Sequence, residues 1–175
     1  MAQRLGPPRQ KPPHEVAEGV THYLVRHAKA GDRTRWTEPD DLRPLTKPGI
    51  RQAAGLVPLL EDEGVDRVLS SPYVRCVQTV EPLAAERGLP VEHHDALAEG
   101  ASLDSTLSLL GSLEERPAVL CTHGDVVENV IGHLESLGVE GADARLCKKG
   151  STWVLALKGG DFVAARYLEP PRTGR

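Results

Sequence analysis

Two short apolar runs, Tyr23-Leu24-Val25 and Val119-Leu120-Cys121, lie far apart in the chain, yet each leads to a histidine (His27, His123) followed by a helix-start pattern. A short apolar run bounded by turn residues reads as a buried strand of a parallel sheet. In open α/β sheets ligands bind beyond the carboxyl ends of the strands, which places both imidazoles at one edge of one sheet. Arg26 precedes the first of them. The edge therefore carries a candidate nucleophile, a second imidazole and a guanidinium suited to phosphate oxygens, and points to phosphate chemistry.

The remaining sequence continues the alternation. After a strand over 21–26, residues 28–46 form a polar loop with Gly31, Pro39, Asp40-Asp41 and Pro44, long enough to suggest a functional segment. Thr46 caps a helix with Ile50, Ala53, Val57 and Leu60 at helical spacing, irregular at Pro58 and ended by Gly64. A strand over 66–70 precedes a helix opened by Ser71-Pro72, on which Val74, Val77 and Val80 form one stripe; Pro82 is expected to kink or break it. A third strand over 89–93, a helix carrying Leu103, Leu107, Leu110 and Leu113, and a fourth strand over 117–122 follow. The next helix carries Val126, Val127, Val130 and Leu134, and residues 150–157 and 162–168 form a hairpin through Lys158-Gly159-Gly160-Asp161. The order predicts an α/β fold, a doubly wound three-layer sandwich with a mainly parallel sheet and an antiparallel edge hairpin.

Length and composition bound the function. A chain of 175 residues suits one domain with a full core, read as 20–170, preceded by a proline-rich flexible tail over 1–19 that lacks any periodic apolar pattern. With a net charge of −4, a pI near 6.0 and few aromatic residues, it lacks the basic stripe and stacking platforms of a nucleic-acid binder. Cys76, Cys121 and Cys147 are odd in number and widely spaced, so neither a disulfide framework nor a zinc site is expected, and a reducing cytoplasm fits. No apolar run is long enough for a membrane span or a leader, so a soluble cytoplasmic protein is expected.

A phosphate monoester dianion repels nucleophiles, so an enzyme acting on it needs fixed positive donors and a nucleophile that is uncharged before attack. Arg26 and His27 supply one of each, because nearby guanidinium charge disfavours imidazolium and keeps His27 neutral. Taken alone, the pair reads equally as a salt-bridged surface feature. Arg75, in the first turn of the helix after the second strand, adds a second guanidinium where free backbone amides also favour anions. His123 adds a donor, and Gly124 lets the next helix begin beside the ligand. Glu99, on the loop after the third strand, is a candidate general acid for the leaving oxygen, although a solvated loop carboxylate fits it as well.

Taken in order, Leu24-Val25-Arg26-His27-Ala28, Arg43-Pro44-Leu45-Thr46 with Gly49 and Gln52-Ala53, Ser70-Ser71-Pro72 with Arg75 and Gln78-Thr79, and Thr122-His123-Gly124 resemble the histidine phosphatase (phosphoglycerate mutase-like) superfamily. The resemblance covers residues 21–168 and is specific because four spaced motifs agree. It is strongest to the short bacterial phosphohistidine phosphatases and to the histidine phosphatase domain that follows a Nudix hydrolase in some actinobacterial proteins. It implies a phosphoglycerate mutase-like fold, with His27 as the histidine phosphorylated during turnover and Arg26, Arg75 and His123 as the phosphate pocket. Ala28 stands where many members have glycine, as in the short phosphohistidine phosphatases, and Glu99 matches the family's acid position loosely. The length leaves no room for the insertions of true mutases.

Other polar residues read mainly as structure. Adjacent residues of His93-His94-Asp95 point to opposite faces of a strand and do not converge on a metal, so no cofactor is expected. Asp40-Asp41 reads as a solvated loop pair, and His14 and His133 have no identifiable partner. Of Lys29, Arg33 and Arg35, Arg33 is the best candidate to meet an acidic substrate, while Lys148-Lys149 is left out of the site. The expected activity is metal-independent hydrolysis of a phosphorylated protein, nucleotide or small metabolite through a phosphohistidine on His27. A mutase-like phosphotransferase would share the first half-reaction, and a non-catalytic phospho-ligand module is the third reading.

Overall fold

The computed structural model describes residues 19–113 and 115–173; the segment expected as a tail lies outside the described residues, apart from Gly19, and so does His14. The strands are β1 (Val20–Arg26), β2 (Arg67–Ser70), β3 (Val91–His93), β4 (Ala118–Thr122), β5 (Thr152–Lys158) and β6 (Asp161–Leu168). The helices are α1 (Lys47–Leu59), α2 (Val74–Arg87), α3 (Leu103–Ser112) and α4 (Gly124–Ser136). Among the described residues the strands form one sheet in the order β3-β2-β4-β1-β5-β6, parallel from β3 to β1 and antiparallel through β5 and β6. The mainly parallel sheet with an antiparallel edge is the architecture expected from the alternation.

Side chains alternate across each strand and so supply two cores. Tyr23 and Val25 of β1, with Val68, Val119 and Cys121, pack against Leu56, Cys76, Val80 and Leu83 from α1 and α2. Leu24 of the same strand, with Leu69, Leu120 and Trp153, packs against Leu109 and Leu110 of α3 and Val127, Val130 and Ile131 of α4. The helices thus form a layer on each face. Both β1 and β4 are buried along nearly their whole length, which is why they read as apolar runs and not as alternating strands.

Helix starts follow their caps. Thr46 accepts a hydrogen bond from the Gly49 amide at 3.3 Å, and Ser102 accepts one from Ser105 at 3.2 Å. The break expected at Pro82 does not occur, since α2 runs through it to Arg87. Proline deletes one amide donor, but Val80, Leu83 and Ala84 on the same helix are buried against the sheet and hold the flanking turns in place. The loop over 28–46 is ordered by a bridge between Ala30 and Leu45 and by a 3-10 turn at Asp40–Leu42. Among the described residues no helix is long and apolar enough to cross a membrane.

Candidate functional site

β1 and β4 are neighbours in the sheet, with Arg26 paired to Thr122, so the residues that follow them emerge side by side. The His27 amide donates to the Thr122 carbonyl at 2.9 Å, and the His27 and His123 rings lie 5.5 Å apart, edge to face. Both histidines are nearly fully buried. His27 Nδ1 lies 2.8 Å from its neighbour's carbonyl, that of Ala28, which fixes the proton on Nδ1 and leaves Nε2 with a free lone pair. Ala28 is held in turn, its amide donating to Thr79 Oγ1 at 3.0 Å. Burial, reinforced by the positive potential of Arg75 and Arg26, depresses the His27 pKa from 6.5 to about 3. The imidazole is therefore neutral at physiological pH.

Arg26 and Arg75 flank the pair. Arg26 lies on the first turn of α4: its Nη1 donates to the Cys147 carbonyl, and a Cβ on Gly124 would sit 2.8 Å from the guanidinium carbon. Glycine there is what allows the contact. Arg75 is wholly buried, its Nη1 donating to the Asp40 carbonyl at 2.7 Å and its Nη2 reaching Asp40 Oδ2 at 3.0 Å and Glu99 Oε2 at 3.2 Å. The guanidinium also lies over the Tyr73 ring, 4.9 Å from its centre. His123 Nε2 faces Ser71 Oγ at 2.8 Å, and its Nδ1 makes a long contact of 3.4 Å with Arg75 Nη2. As arginine only donates, Nδ1 is the acceptor and Nε2 carries the proton to Ser71.

Glu99 and Arg33 complete a polar wall. Arg33 Nη2 donates to both Glu99 oxygens, at 2.7 and 3.0 Å, and to Asp40 at 3.2 Å. These residues open onto a cleft of about 700 Å³, whose lining includes Arg26, His27, Arg33, Arg43, Glu99 and His123. All six residues singled out from sequence, His27, His123, Arg26, Arg75, Arg33 and Glu99, thus meet in one region.

The sequence reading missed other parts of this region. Asp40 is no solvated loop residue, because it accepts from Arg33, Arg43 and Arg75, and those cations hold its carboxyl down at about 2 despite partial burial. Arg43 is 4% exposed and donates to Asp40 and to the Gly31 carbonyl. Its place in an Arg-Pro-Leu-Thr run was the available signal. Ser71 positions His123, and Lys149 lines the cleft. His94, considered with the metal question, caps the 3-10 turn at Asp95–Leu97 by accepting from the Ala96 amide.

The arrangement presents a neutral imidazole lone pair among fixed guanidinium donors, and comparison with known proteins gives it a family. The family model of the histidine phosphatase superfamily (branch 1) matches residues 22–105. An 8-oxo-(d)GTP phosphatase of Mycolicibacterium smegmatis is 36% identical over 156 residues, covering 86% of this chain and 48% of that protein. The chain thus spans about half the length of that curated relative. The protein histidine phosphatase SixA complexed with tungstate superposes with a TM-score of 0.68 at 20% identity, covering 86% of this chain and 97% of that one; at this identity the likeness is one of fold. A chain from Agrobacterium tumefaciens assigned as phosphohistidine phosphatase SixA gives a TM-score of 0.67 at 25% identity, covering 86% of this chain and 98% of that one. Four motifs in order, a matching fold and these relatives thus agree on the histidine phosphatase superfamily, whose branch 1 model covers residues 22–105 of this chain.

Proposed function

We propose that the protein is a metal-independent phosphatase that hydrolyses a phosphorylated substrate, a phosphohistidine protein, a nucleotide or a small metabolite, through a covalent phosphohistidine on His27. The observation that carries this reading is the His27 ring itself, buried and neutral, with Nδ1 committed to Ala28 and Nε2 left as a nucleophile between Arg26, Arg75 and His123. In the first step the Nε2 lone pair forms a bond to phosphorus, and the bond from phosphorus to the leaving atom, an oxygen in an ester or anhydride and a ring nitrogen in a phosphohistidine, breaks with its electrons passing to that atom. Arg26 and Arg75 supply the positive charge that the equatorial oxygens need in a loose transition state. His123, held through Nε2 by Ser71, stands beside them in the pocket.

The proton for the leaving oxygen or nitrogen is assigned to Glu99, 3.2 Å from Arg75, acting as general acid. In the second step water attacks the phosphohistidine, the phosphorus–nitrogen bond breaks and its electrons return to Nε2. The proton lost by water goes to Glu99 or to His123, and the products are inorganic phosphate and the free alcohol or imidazole. The experiment is turnover of an aryl phosphate such as p-nitrophenyl phosphate in a metal chelator, expected to proceed undiminished. Complete loss with chelator, restored by a divalent ion, would overturn the metal-independent mechanism.

A further inference from the structure

Lys29 and Lys149 both line the cleft, on segments far apart in sequence, and neither ammonium has a carboxylate within 4.0 Å among the described residues. One side chain ties the two segments together. Gln52 Oε1 accepts from the Lys29 amide at 2.9 Å, and Gln52 Nε2 donates to the Lys149 carbonyl at 3.1 Å. Lys29 is fixed further where its carbonyl accepts from the Thr46 amide at 2.9 Å and from Thr46 Oγ1 at 3.0 Å. Gly49 lets α1 approach this closely, for a Cβ there would lie 2.0 Å from the Lys29 carbonyl oxygen. On the other side the Gly150 amide, next to Lys149, donates to the carbonyls of Arg26 and His27 at 3.1 and 3.0 Å. Both lysines are thus built onto the backbone of the nucleophile segment.

Cations gathered in this way repel one another. Lys149 is held below the ordinary lysine range by partial burial and by Arg26, Arg43 and Lys29. Such a cluster is stabilised when an anion arrives between its members, and a single phosphoryl group already has Arg26, Arg75 and His123 as partners. Resting on the phosphatase reading, we infer that Lys29 and Lys149, positioned by Gln52, form a second anion subsite that selects substrates carrying another phosphate beyond the one transferred. The chemical class is a nucleoside diphosphate or triphosphate, or a bisphosphorylated metabolite, in preference to a lone monoester or a phosphorylated protein side chain.

The test compares kcat/KM for p-nitrophenyl phosphate, a nucleoside diphosphate and a sugar bisphosphate in the wild type and in Lys29→Ala, Lys149→Ala, Lys149→Arg and Gln52→Ala. Loss of a charge-assisted contact costs about 10- to 100-fold. Each lysine-to-alanine change is expected to lower the ratio of diphosphate to aryl phosphate kcat/KM by about that factor, Lys149→Arg to retain most of it, and Gln52→Ala to lower it less. The two phosphorylated arms show whether the second phosphate is anhydride-linked or carbon-linked. An unchanged ratio in both alanine variants overturns the subsite. Calorimetric binding of pyrophosphate and of orthophosphate to His27→Ala separates the two claims. If the wild type turns over no substrate, the phosphatase reading fails, while lysine-dependent preference for pyrophosphate would still support the subsite and its absence would refute it.

Discussion

Replacing Asp40 by alanine should destabilise the fold and at the same time increase the stabilisation that an oxyanion provides. Asp40 bonds Arg75, whose side chain is fully buried, and Arg43, whose side chain is 5% exposed. Removing one partner of a buried ion pair costs about 3–5 kcal/mol. Here the carboxylate is itself about one-third exposed, and Arg75 keeps Glu99 and the Asp40 backbone carbonyl, so the loss is reduced to about 1–3 kcal/mol. For a domain of this size that is a fall in Tm of about 2–12 °C. Orthophosphate or tungstate bound between Arg26 and Arg75 would take the place of the missing carboxylate. The rise in Tm between anion-free and anion-saturated protein, followed by circular dichroism, should therefore be larger in Asp40→Ala than in the wild type, with Asp40→Asn between them. A variant as stable as the wild type would refute the claim that Asp40 holds Arg75, and equal anion-induced shifts would refute the claim that carboxylate and oxyanion share one guanidinium.

Acid sensitivity should come partly from His22, which is fully buried with neither ring nitrogen hydrogen-bonded and whose pKa burial lowers from 6.5 to about 4. Because the folded value is depressed, its contribution is present above pH 6.5 and lost as pH falls toward 4, by about 3 kcal/mol at most; denaturant titrations across that window should be less steep in His22→Leu, and an unchanged slope would count against the assignment. Gly124→Ala should keep the fold and lower kcat/KM for p-nitrophenyl phosphate by about 10-fold or more, since the new methyl displaces the Arg26 guanidinium from 2.8 Å; full activity would show that Arg26 acts from another position.

Much of the fold is legible in the sequence because its signals are local. The apolar runs of β1 and β4, the cap Thr46 and the hairpin glycines each act within a few residues of themselves. The two histidines were legible because both terminate such runs. Asp40 was not, since its meaning depends on Arg75, which lies 35 positions away and meets it only after α2 has packed. Pro82 misled for a related reason, since tertiary burial of α2 outweighs the local penalty. Lys149 acquires its place from Gln52, 97 positions earlier, a contact that no local pattern encodes.

The most direct measurement is rapid quench of the enzyme with a phosphorus-labelled substrate, followed by acid and base treatment of the trapped protein, in the wild type, His27→Ala and His123→Ala. The wild type should carry label that survives base and is lost in acid, as a phosphohistidine does. His123→Ala should label more slowly, by about 10²–10³ for one lost donor, and His27→Ala not at all. An acid-labile phosphoenzyme trapped in His27→Ala would place the nucleophile elsewhere and contradict the central claim.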